Sequence, residues 1–424
     1  MIGASEQRGG TRAGRAWLAA SVVATSLSGA GCGNLKSTPT VVAAPATGLA
    51  VVGSDFTSTV ISLVAADGTL AKDDCIDSGT HAGGNLSLTL SGDVTLPSQP
   101  QDGGDLWLID RGNAALTIVA PTTCAVTGQV SVGTGFKSNP HDVAVVSASK
   151  VYVTRYEKNV DAADATSKGD DILILDRASG AATGRIDLSG YAAPVEGAVT
   201  QARPDRMVIA DGLIFVTLGS QDAKFQATGE GRVIVIDPSI DGVADMVALP
   251  GLKGCSAMFT LPAEHILLVA CGGSFADAEQ SASSGVAVID TGASPPVLVH
   301  VTKASALGGQ PVDFQWVAAL SGAQAFASTV GTFPDAKNNV AGSNDALFAL
   351  NPESDASTPI SLETGAFNLG RGAVGATTLF VPDAAMAKPR IHLFNASVAG
   401  APTETGAFDP DPARGLPPRE IAWY

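Results

Sequence analysis

Short apolar runs that end near an Asp, Asn or Pro recur seven times along the chain. They are rich in Val, Ile, Leu and Ala, and polar or turn-forming residues flank them. The runs are residues 60–67, 116–121, 172–176, 233–237, 286–290, 346–351 and 391–395. Their starts are separated by 56, 56, 61, 53, 60 and 45 residues. A spacing this regular indicates a structural unit that is repeated seven times.

A second apolar segment precedes each of these runs. These segments are residues 49–53, 106–110, 151–154, 213–217, 266–270, 325–328 and 379–381. They are short, β-branched or aromatic and bounded by Gly, Asp, Pro and Asn, which is typical of strands, whereas no window keeps a helical period for long. A weaker strand follows each run, as at 182–188, and a further strand opens the next unit, as at 141–146. The pattern therefore predicts an all-β chain of four-stranded units.

Seven such units are typical of a seven-bladed β-propeller, in which strands A to D run from the axis outward and neighbouring blades bury both faces of each sheet. The first unit lacks an A strand of its own. Residues 416–424 resemble one, because 418–421 repeats the Pro-x-acid-apolar pattern of 140–143 and 311–314. We therefore predict a propeller over residues 48–424, closed by the C-terminal strand joining the N-terminal blade.

Residues 139–146, followed by 150–154 and 171–176, resemble the YVTN repeat of bacterial surface-layer and YncE-like propellers. The resemblance extends over roughly the whole chain after its N-terminal segment. It implies a seven-bladed fold similar to that of the lactonase-like and amine dehydrogenase-like propellers. The repeat is a packing motif, so it implies a fold and little about chemistry.

Three arginines precede an apolar stretch at 16–24, as in a secretory signal peptide, and the stretch is too short to span a bilayer. We expect residues 1–31 to be this signal peptide. Cys32 follows in a context that resembles a bacterial lipoprotein processing site, with plain secretion as the alternative. Residues 32–47 would then form a flexible tether. The expected location is the bacterial envelope, on its periplasmic or surface side, with the protein held there by its lipid.

The chain is acidic, with 25 Lys and Arg against 41 Asp and Glu and a formal charge of −16. A surface of this sign repels nucleic acid and anionic lipid headgroups. We therefore expect no nucleic-acid partner, and contact with the membrane only through the lipid anchor. The expected partners are an envelope protein or a small polar ligand, and the expected oligomeric state is a monomer.

Four cysteines remain after Cys32, an even number in a compartment that permits disulfides. Cys255 and Cys271 flank a predicted hairpin turn, so they would face each other across antiparallel strands. Two buried free thiols are the alternative. If Cys255 and Cys271 are bonded, the remaining pair, Cys75 and Cys124, would form a second disulfide that links the first and second units.

Common catalytic and cofactor motifs are missing from the sequence. It has no CxxC, CxxCH or HExxH motif, no Gly-x-Ser-x-Gly elbow, and no glycine-rich phosphate or dinucleotide loop. We therefore expect no resident cofactor and no structural metal. An acidic cluster could take up calcium weakly, although a solvated loop is the simpler interpretation. Its members are Asp161, Asp164, Asp170 and Asp171.

The B–C and D–A connections of a propeller share one face, and four consecutive units carry long, polar B–C insertions. These are residues 156–170, 220–231, 272–285 and 330–345. Long loops on a rigid scaffold commonly bind ligands. Propeller loops also accept insertions at little energetic cost, so the alternative is that these insertions are tolerated surface variation with no role in binding.

The A strands line the central channel and start at the same face. The charged or titratable residues expected at this channel mouth are His141, Asp142, Arg203, Asp205, Arg206, Asp313, Arg371, Arg419 and Glu420. Such a ring could clamp a polar or anionic small molecule, or hold a cation among Asp142, Asp313 and Glu420. The alternative is a set of salt bridges that only keeps the channel hydrated.

These patterns favour a binding or scaffolding module that acts through its loop-rich face. The alternative is an enzyme, a lactonase-like hydrolase or a quinoprotein-like oxidoreductase. Lactonase-like propellers use a histidine and arginines near this channel mouth. The resemblance implies that His141 and Arg155 are the nearest counterparts of these residues in this chain. A histidine at this place in the repeat also occurs as a structural residue. A closed cluster of His141, Arg155 and carboxylates would favour the enzyme, and dispersed charges over a flat face would favour protein recognition.

Overall fold

The computed structural model describes residues 45–80, 87–161, 165–335, 337, 341–397 and 400–424. The expected signal peptide, the lipidated Cys32 and most of the expected tether lie outside these residues. Among the described residues, no helix is long and apolar enough to cross a bilayer.

The described chain folds into seven four-stranded antiparallel sheets, the blades of a β-propeller. In each blade the strands run in the order A, B, C, D from the axis to the rim. Blade 1 consists of Pro418–Trp423, Leu49–Ser54, Thr59–Val64 and Leu70–Asp77. Blade 2 consists of Val94–Thr95, Leu106–Asp110, Ala115–Ala120 and Ala125–Ser131. Blade 3 consists of Pro140–Ser147, Lys150–Lys158, Gly169–Asp176 and Ala182–Asp187.

The remaining four blades follow in chain order. Blade 4 consists of Pro204–Ala210, Leu213–Leu218, Glu230–Asp237 and Gly242–Lys253. Blade 5 consists of Cys255–Leu261, Ile266–Gly272, Ser284–Asp290 and Val297–Lys303. Blade 6 consists of Val312–Ser321, Gln324–Thr329, Ala346–Leu350 and Ser357–Ile360. Blade 7 consists of Ala373–Val374, Thr378–Asp383, Arg390–Asn395 and Thr403–Phe408. The predicted fold class, all-β with seven four-stranded blades, is confirmed.

Short elements lie outside the blades. A two-stranded ribbon joins Thr200–Gln201 to Gln221–Asp222. The 3-10 turns among the described residues are Ala165–Ser167, Ser189–Tyr191, Pro262–Glu264, Gln280–Ser283 and Ala304–Leu307.

Strands B and C are covered on both faces, which explains why the apolar runs are nearly continuous and do not alternate with polar residues. All six residues of Leu49–Ser54 are buried, whereas the rim strand Ala125–Ser131 has no buried residue. Neighbouring blades share their cores, as where Ile109 of blade 2 and Leu173 of blade 3 join one apolar cluster. Burying a side chain of this kind contributes about 1.5–3 kcal/mol. The layers between blades therefore hold the ring together.

Both predicted disulfides are present. Cys255 and Cys271 are bonded and lie opposite each other in strands A and B of blade 5. Cys75, in strand D of blade 1, is bonded to Cys124, which directly precedes strand D of blade 2. The second bond joins residues 49 positions apart. A loop of that length corresponds to about 4 kcal/mol of stabilisation in the chain-entropy account.

The ring is closed in the predicted way. The C-terminal strand Pro418–Trp423 pairs antiparallel with Leu49–Ser54, and its Ile421 is fully buried. The amide of Tyr424 donates to the carbonyl oxygen of Gly48 at 2.9 Å, and the amide of Gly48 donates back to Tyr424 at 3.3 Å. One continuous ladder therefore joins the two ends of the propeller within blade 1.

Deleting residues 416–424 should destabilise the whole domain. The deletion removes strand A of blade 1 and uncovers apolar surface on the two adjoining blades, so we expect the melting midpoint to fall by about 10 °C or more. Differential scanning calorimetry on the deleted and intact chains measures this. A control chain in which the exposed turn 412–415 is replaced by Gly and Ser keeps the strand and should melt within a few degrees of the intact chain. An unchanged midpoint after the deletion would contradict the proposed role of the strand.

Candidate functional site

The predicted B–C insertions lie on one side of the ring together with the D–A connections. We call this side the loop face. It comprises the described residues of the B–C connections 55–58, 111–114, 159–168, 219–229, 273–283, 330–345 and 384–389, and of the D–A connections 78–93, 132–139, 188–203, 254, 304–311, 361–372 and 409–417. The B–C connections of blades 3 to 6 are longer than those of blades 1, 2 and 7. Long D–A connections at 78–93 and 188–203 add to this face, and the repeat pattern did not reveal them.

Strand A is irregular at the channel mouth in five blades. Its pairing with strand B skips residue 419 in blade 1, 141 in blade 3, 205–206 in blade 4, 256–257 in blade 5 and 313–316 in blade 6. Such bulges bend a strand and re-aim its side chains, and they are frequent beside functional sites. Most of the predicted mouth residues lie at or directly beside these interruptions. The irregular strands therefore direct polar side chains into the channel.

A cavity of about 510 Å³ occupies the channel mouth on the loop face. This volume is within the range of small-molecule sites. Of the predicted mouth residues, those in its lining are Arg206, Asp313, Arg419 and Glu420, and those outside it are His141, Asp142, Arg203, Asp205 and Arg371. A smaller cavity of about 250 Å³ opens at the opposite mouth. Arg206 lines both cavities, so charged side chains divide the channel.

The floor of the larger cavity is a buried network of charges. Arg371 and Glu420 form an ion pair, with 13% and 8% of their side chains exposed. The hydroxyl of Thr95 donates to Glu420 at 2.8 Å, while Arg371 and Arg206 both donate to the carbonyl oxygen of Leu96, at 2.8 and 2.9 Å. Burial raises the pKa of Glu420, but the two arginines outweigh it and hold that pKa below its usual value. These groups brace the start of blade 2 inside the channel.

Asp142 connects three blades. It is fully buried and accepts hydrogen bonds from the amides of Ser98 at 3.0 Å, Val143 at 2.8 Å and Met207 at 2.8 Å. Burial raises the pKa of this carboxyl despite these donors. Asp142 therefore ties blades 2, 3 and 4 together and lies outside the cavity lining.

Two residues of the expected acidic cluster, Asp170 and Asp171, have protein partners. Among the described residues, no group of three or more His, Cys, Asp or Glu is placed to hold a metal ion. In the acidic cluster, Asp170 accepts two backbone amides at the start of blade 4, and Asp171 binds Arg155. Asp164 lies outside the described residues.

His141 connects blade 3 to blade 4. Its Nδ1 lies 2.6 Å from the carboxylate of Asp205, and its ring stacks on Tyr156 with centroids 4.2 Å apart. The guanidinium of Arg203 lies over the rings of Tyr156 and Phe225, at 5.0 and 4.2 Å. Burial raises the pKa of Asp205, but the attraction of His141 outweighs burial and lowers that pKa. The Nε2 of His141 is buried and has no hydrogen-bond partner.

Arg155 pairs with Pro140 in the ladder, next to His141, but its side chain has other partners, so the two residues do not form the closed cluster expected of a catalytic pair. Its fully buried guanidinium donates to Asp171 at 2.8 and 2.7 Å and to the hydroxyl of Thr134 at 2.6 Å. Successive residues of a strand point to opposite faces. Arg155 therefore faces blade 2, while Tyr156 faces His141.

Asp313 is a buried carboxyl in the cavity wall, only 3% exposed. The amide of Gln315 donates to it at 2.9 Å, and the hydroxyl of Ser328 lies 3.4 Å away. Burial, with a contribution from the nearby Asp345, outweighs these hydrogen bonds and raises the pKa of Asp313 to about 7. Carboxyls perturbed to this extent are concentrated at functional sites.

Four aromatic side chains surround the cavity, and the repeat pattern marked only Phe314 among them. They are Phe56, Phe275, Phe314 and Phe367. Phe275 and Phe314 meet edge to face with centroids 5.8 Å apart. Phe56, Phe275 and Phe367 are 68%, 62% and 49% exposed. In the sequence, Phe56, Phe275 and Phe367 are single phenylalanines inside otherwise polar connections. Connections have no periodicity that could mark such residues.

No protein-family model and no curated protein sequence matches the chain. Its fold is similar to those of solved structures. A protein provisionally named 6-phosphogluconolactonase from Bacteroides fragilis is 12% identical, with a TM-score of 0.55 over 92% of this chain and 100% of the other. One with the same provisional name from Bacteroides uniformis is 16% identical, with a TM-score of 0.54 over 89% and 99%. Hydrazine synthase from Kuenenia stuttgartiensis is 14% identical, with a TM-score of 0.50 over 75% and 80%. These similarities concern the propeller fold alone.

Substituting Asp313 by Asn should make the protein more stable at neutral and alkaline pH. The pKa of Asp313 is about 7 in the folded chain, against an ordinary value of 3.8. The neutral carboxyl of Asp313 therefore makes its full contribution to the free energy of unfolding below about pH 4. This contribution is lost as the pH rises through about 7. The melting midpoint of the variant relative to the natural chain should rise between pH 4.5 and 7.5 and then level off. A difference that is constant across this range would contradict the raised pKa.

Proposed function

We propose that this protein is an extracytoplasmic binding module that captures its ligand at the loop face. The two disulfides support a location outside the cytoplasm. The proposal includes the lipid anchor at Cys32, which would hold the propeller at the bacterial envelope. Its ligand is an envelope protein or a small molecule of that compartment.

The observation that carries this proposal is the uneven distribution of exposed apolar side chains. Of the twelve large hydrophobic residues exposed in the described chain, nine belong to the loop face. These are Phe56, Leu88, Val160, Val199, Phe225, Phe275, Phe333, Phe367 and Met386. Single exposed apolar residues are ordinary, but a concentration on one face is typical of a binding surface, and three of the nine line the cavity. The aromatic members supply contact area at a small cost in conformational entropy.

The charged residues of the channel support binding over catalysis. Asp142, Arg371 and Glu420 are all engaged in bonds that hold the blades and the start of blade 2 in place. A reacting group would have to be released from these partners. The accessible part of the site is therefore the aromatic rim and the upper wall of the cavity.

A lactonase-like hydrolase is the second candidate. The observation in its favour is the pairing of His141 with Asp205 at 2.6 Å, which leaves Nε2 of the imidazole without a partner. A carboxylate that orients a histidine in this way is a common element of general-base catalysis. Hydrolysis of a panel of lactones by the natural chain, lost in His141→Asn but retained in the surface variant His265→Asn, would favour this candidate. The absence of turnover in the natural chain would count against it.

Photo-crosslinking from the loop face tests the binding proposal directly. The photoreactive residue p-benzoylphenylalanine would replace Phe275 or Phe333 in the full chain within the envelope of the producing bacterium. Both positions are more than half exposed, at 62% and 68%. We expect each to give a discrete adduct, and the mass of the adduct distinguishes a protein from a small molecule.

The matched control for this experiment is Ile240, which is 69% exposed and lies in the C–D connection of blade 4, on the other side of the ring. The same photoreactive residue placed there should give no discrete adduct. Adducts from position 240 with none from 275 or 333 would overturn the assignment of the loop face.

A further inference from the structure

We propose that the 510 Å³ cavity binds a small molecule that combines a flat apolar body with an anionic group, and that Arg419 receives the anionic group. This inference rests on the proposed function, because it specifies the ligand class of the loop face. It is carried by three features of the cavity: the bulge that turns Arg419 toward it, the lack of a carboxylate at ion-pair distance from Arg419 among the described residues, and the aromatic walls around it.

A bulge in the closing strand delivers Arg419 to the cavity. Val52 pairs with Glu420 and Gly53 pairs with Pro418, so Arg419 is left without a partner in the ladder. Arg419 and Glu420 are consecutive, yet both line the cavity. In a regular strand, consecutive side chains point to opposite faces. The bulge at Arg419 therefore explains why the side chains of Arg419 and Glu420 both point toward the cavity.

Among the described residues, Arg419 has spare donors and no ion-paired carboxylate. Its Nε donates to the carbonyl oxygen of Ser54 at 3.1 Å, and its guanidinium lies 4.8 Å from the centroid of the Phe56 ring. Among the described residues, no carboxylate lies within ion-pair distance, and its two terminal nitrogens have no hydrogen-bond acceptor. Burial lowers the pKa of Arg419 and outweighs the attraction of the Asp55 carboxylate, which lies beyond ion-pair distance. An anion with two oxygens would satisfy the free edge of this guanidinium.

The carboxylates that line the same cavity do not neutralise Arg419. Asp345 accepts four backbone amides, Asp93 is paired with Arg111, and Glu420 is paired with Arg371. Asp313 carries only part of a charge near neutral pH, because its pKa is about 7. Within the described residues, a chain with a formal charge of −16 thus presents in this cavity a guanidinium that no carboxylate pairs at ion-pair distance.

The walls of the cavity select for an apolar body. Phe56, Phe275, Phe314 and Phe367 line it, and such rings favour stacked or edge-on contacts with a flat apolar partner. An inorganic anion would leave these walls in contact with water. A ligand that is both aromatic and anionic matches the rings and the guanidinium together.

Two fluorescent probes with the same aromatic body test the assignment. These are 8-anilino-1-naphthalenesulfonate, which carries a sulfonate, and N-phenyl-1-naphthylamine, which lacks it. We expect the sulfonate probe to bind the full chain at one saturable site, with an affinity at least about tenfold higher than that of the neutral probe. Arg419→Gln should weaken binding of the sulfonate probe about tenfold or more and leave binding of the neutral probe unchanged.

Two further variants control for charge and for folding. Arg414→Gln removes an arginine that lies just upstream of the closing strand and is paired with Asp74 and Asp77, so it should leave both probes unaffected. Arg419→Lys retains the charge and should keep most of the preference for the sulfonate probe. The melting midpoint of each variant shows whether the closing strand is intact. The double variant Phe275→Ser, Phe367→Ser should weaken both probes.

The outcomes separate this inference from the proposed function. If Arg419→Gln leaves the sulfonate probe unaffected, or if the two probes bind equally, the assignment of Arg419 fails, while a discrete adduct from position 275 still supports the loop face. If the sulfonate probe does not bind, or if it binds equally well to the double variant, the cavity is not its site and the inference fails. The absence of adducts from the loop face is the separate result that would remove the proposed function.

Discussion

Closure of the ring by strand Pro418–Trp423 is the constraint on which the rest of the structure depends. Each blade is stabilised by apolar contacts with its neighbours, so an open ring would expose the facing layers of two blades. The strand that closes blade 1 also carries Arg419 and Glu420 to the cavity. Stability of the fold and formation of the site therefore share one element.

The site is built from the irregular parts of an otherwise regular scaffold. Strands B and C satisfy their backbone within the sheets and pack against the next blades, so most of their buried side chains are apolar. Strand A pairs on one side only, so it can bulge at the channel mouth, and it does so in five blades. The bulges place some polar groups in a structural network, such as Asp142 and Glu420. They leave others, above all Arg419, facing the cavity.

The periodic parts of this architecture could be predicted from the sequence, and the aperiodic parts could not. The apolar runs of strands B and C and the Pro-x-acid-apolar pattern of the closing strand follow the repeat, and the facing positions of Cys255 and Cys271 follow from the hairpin turn predicted between them. The separation of the Arg155 and His141 side chains was not predictable, because it depends on the bulge at His141 in strand A, which turns that side chain toward blade 4. The aromatic rim was missed because Phe275 and Phe367 lie in connections, where no repeat indicates which residues converge.

Hydrogen–deuterium exchange along the closing strand tests the central claim most directly. The amides of Ile421 and Tyr424 donate to the carbonyl oxygens of Arg371 and Gly48, at 2.8 and 2.9 Å. If the strand closes the ring, the amides of a peptide covering 416–424 should exchange as slowly as those of strand C of blade 4, Glu230–Asp237. Both segments would then open only when the whole domain unfolds. Exchange of the closing peptide within seconds, as in a frayed terminus, would contradict closure of the ring by this strand.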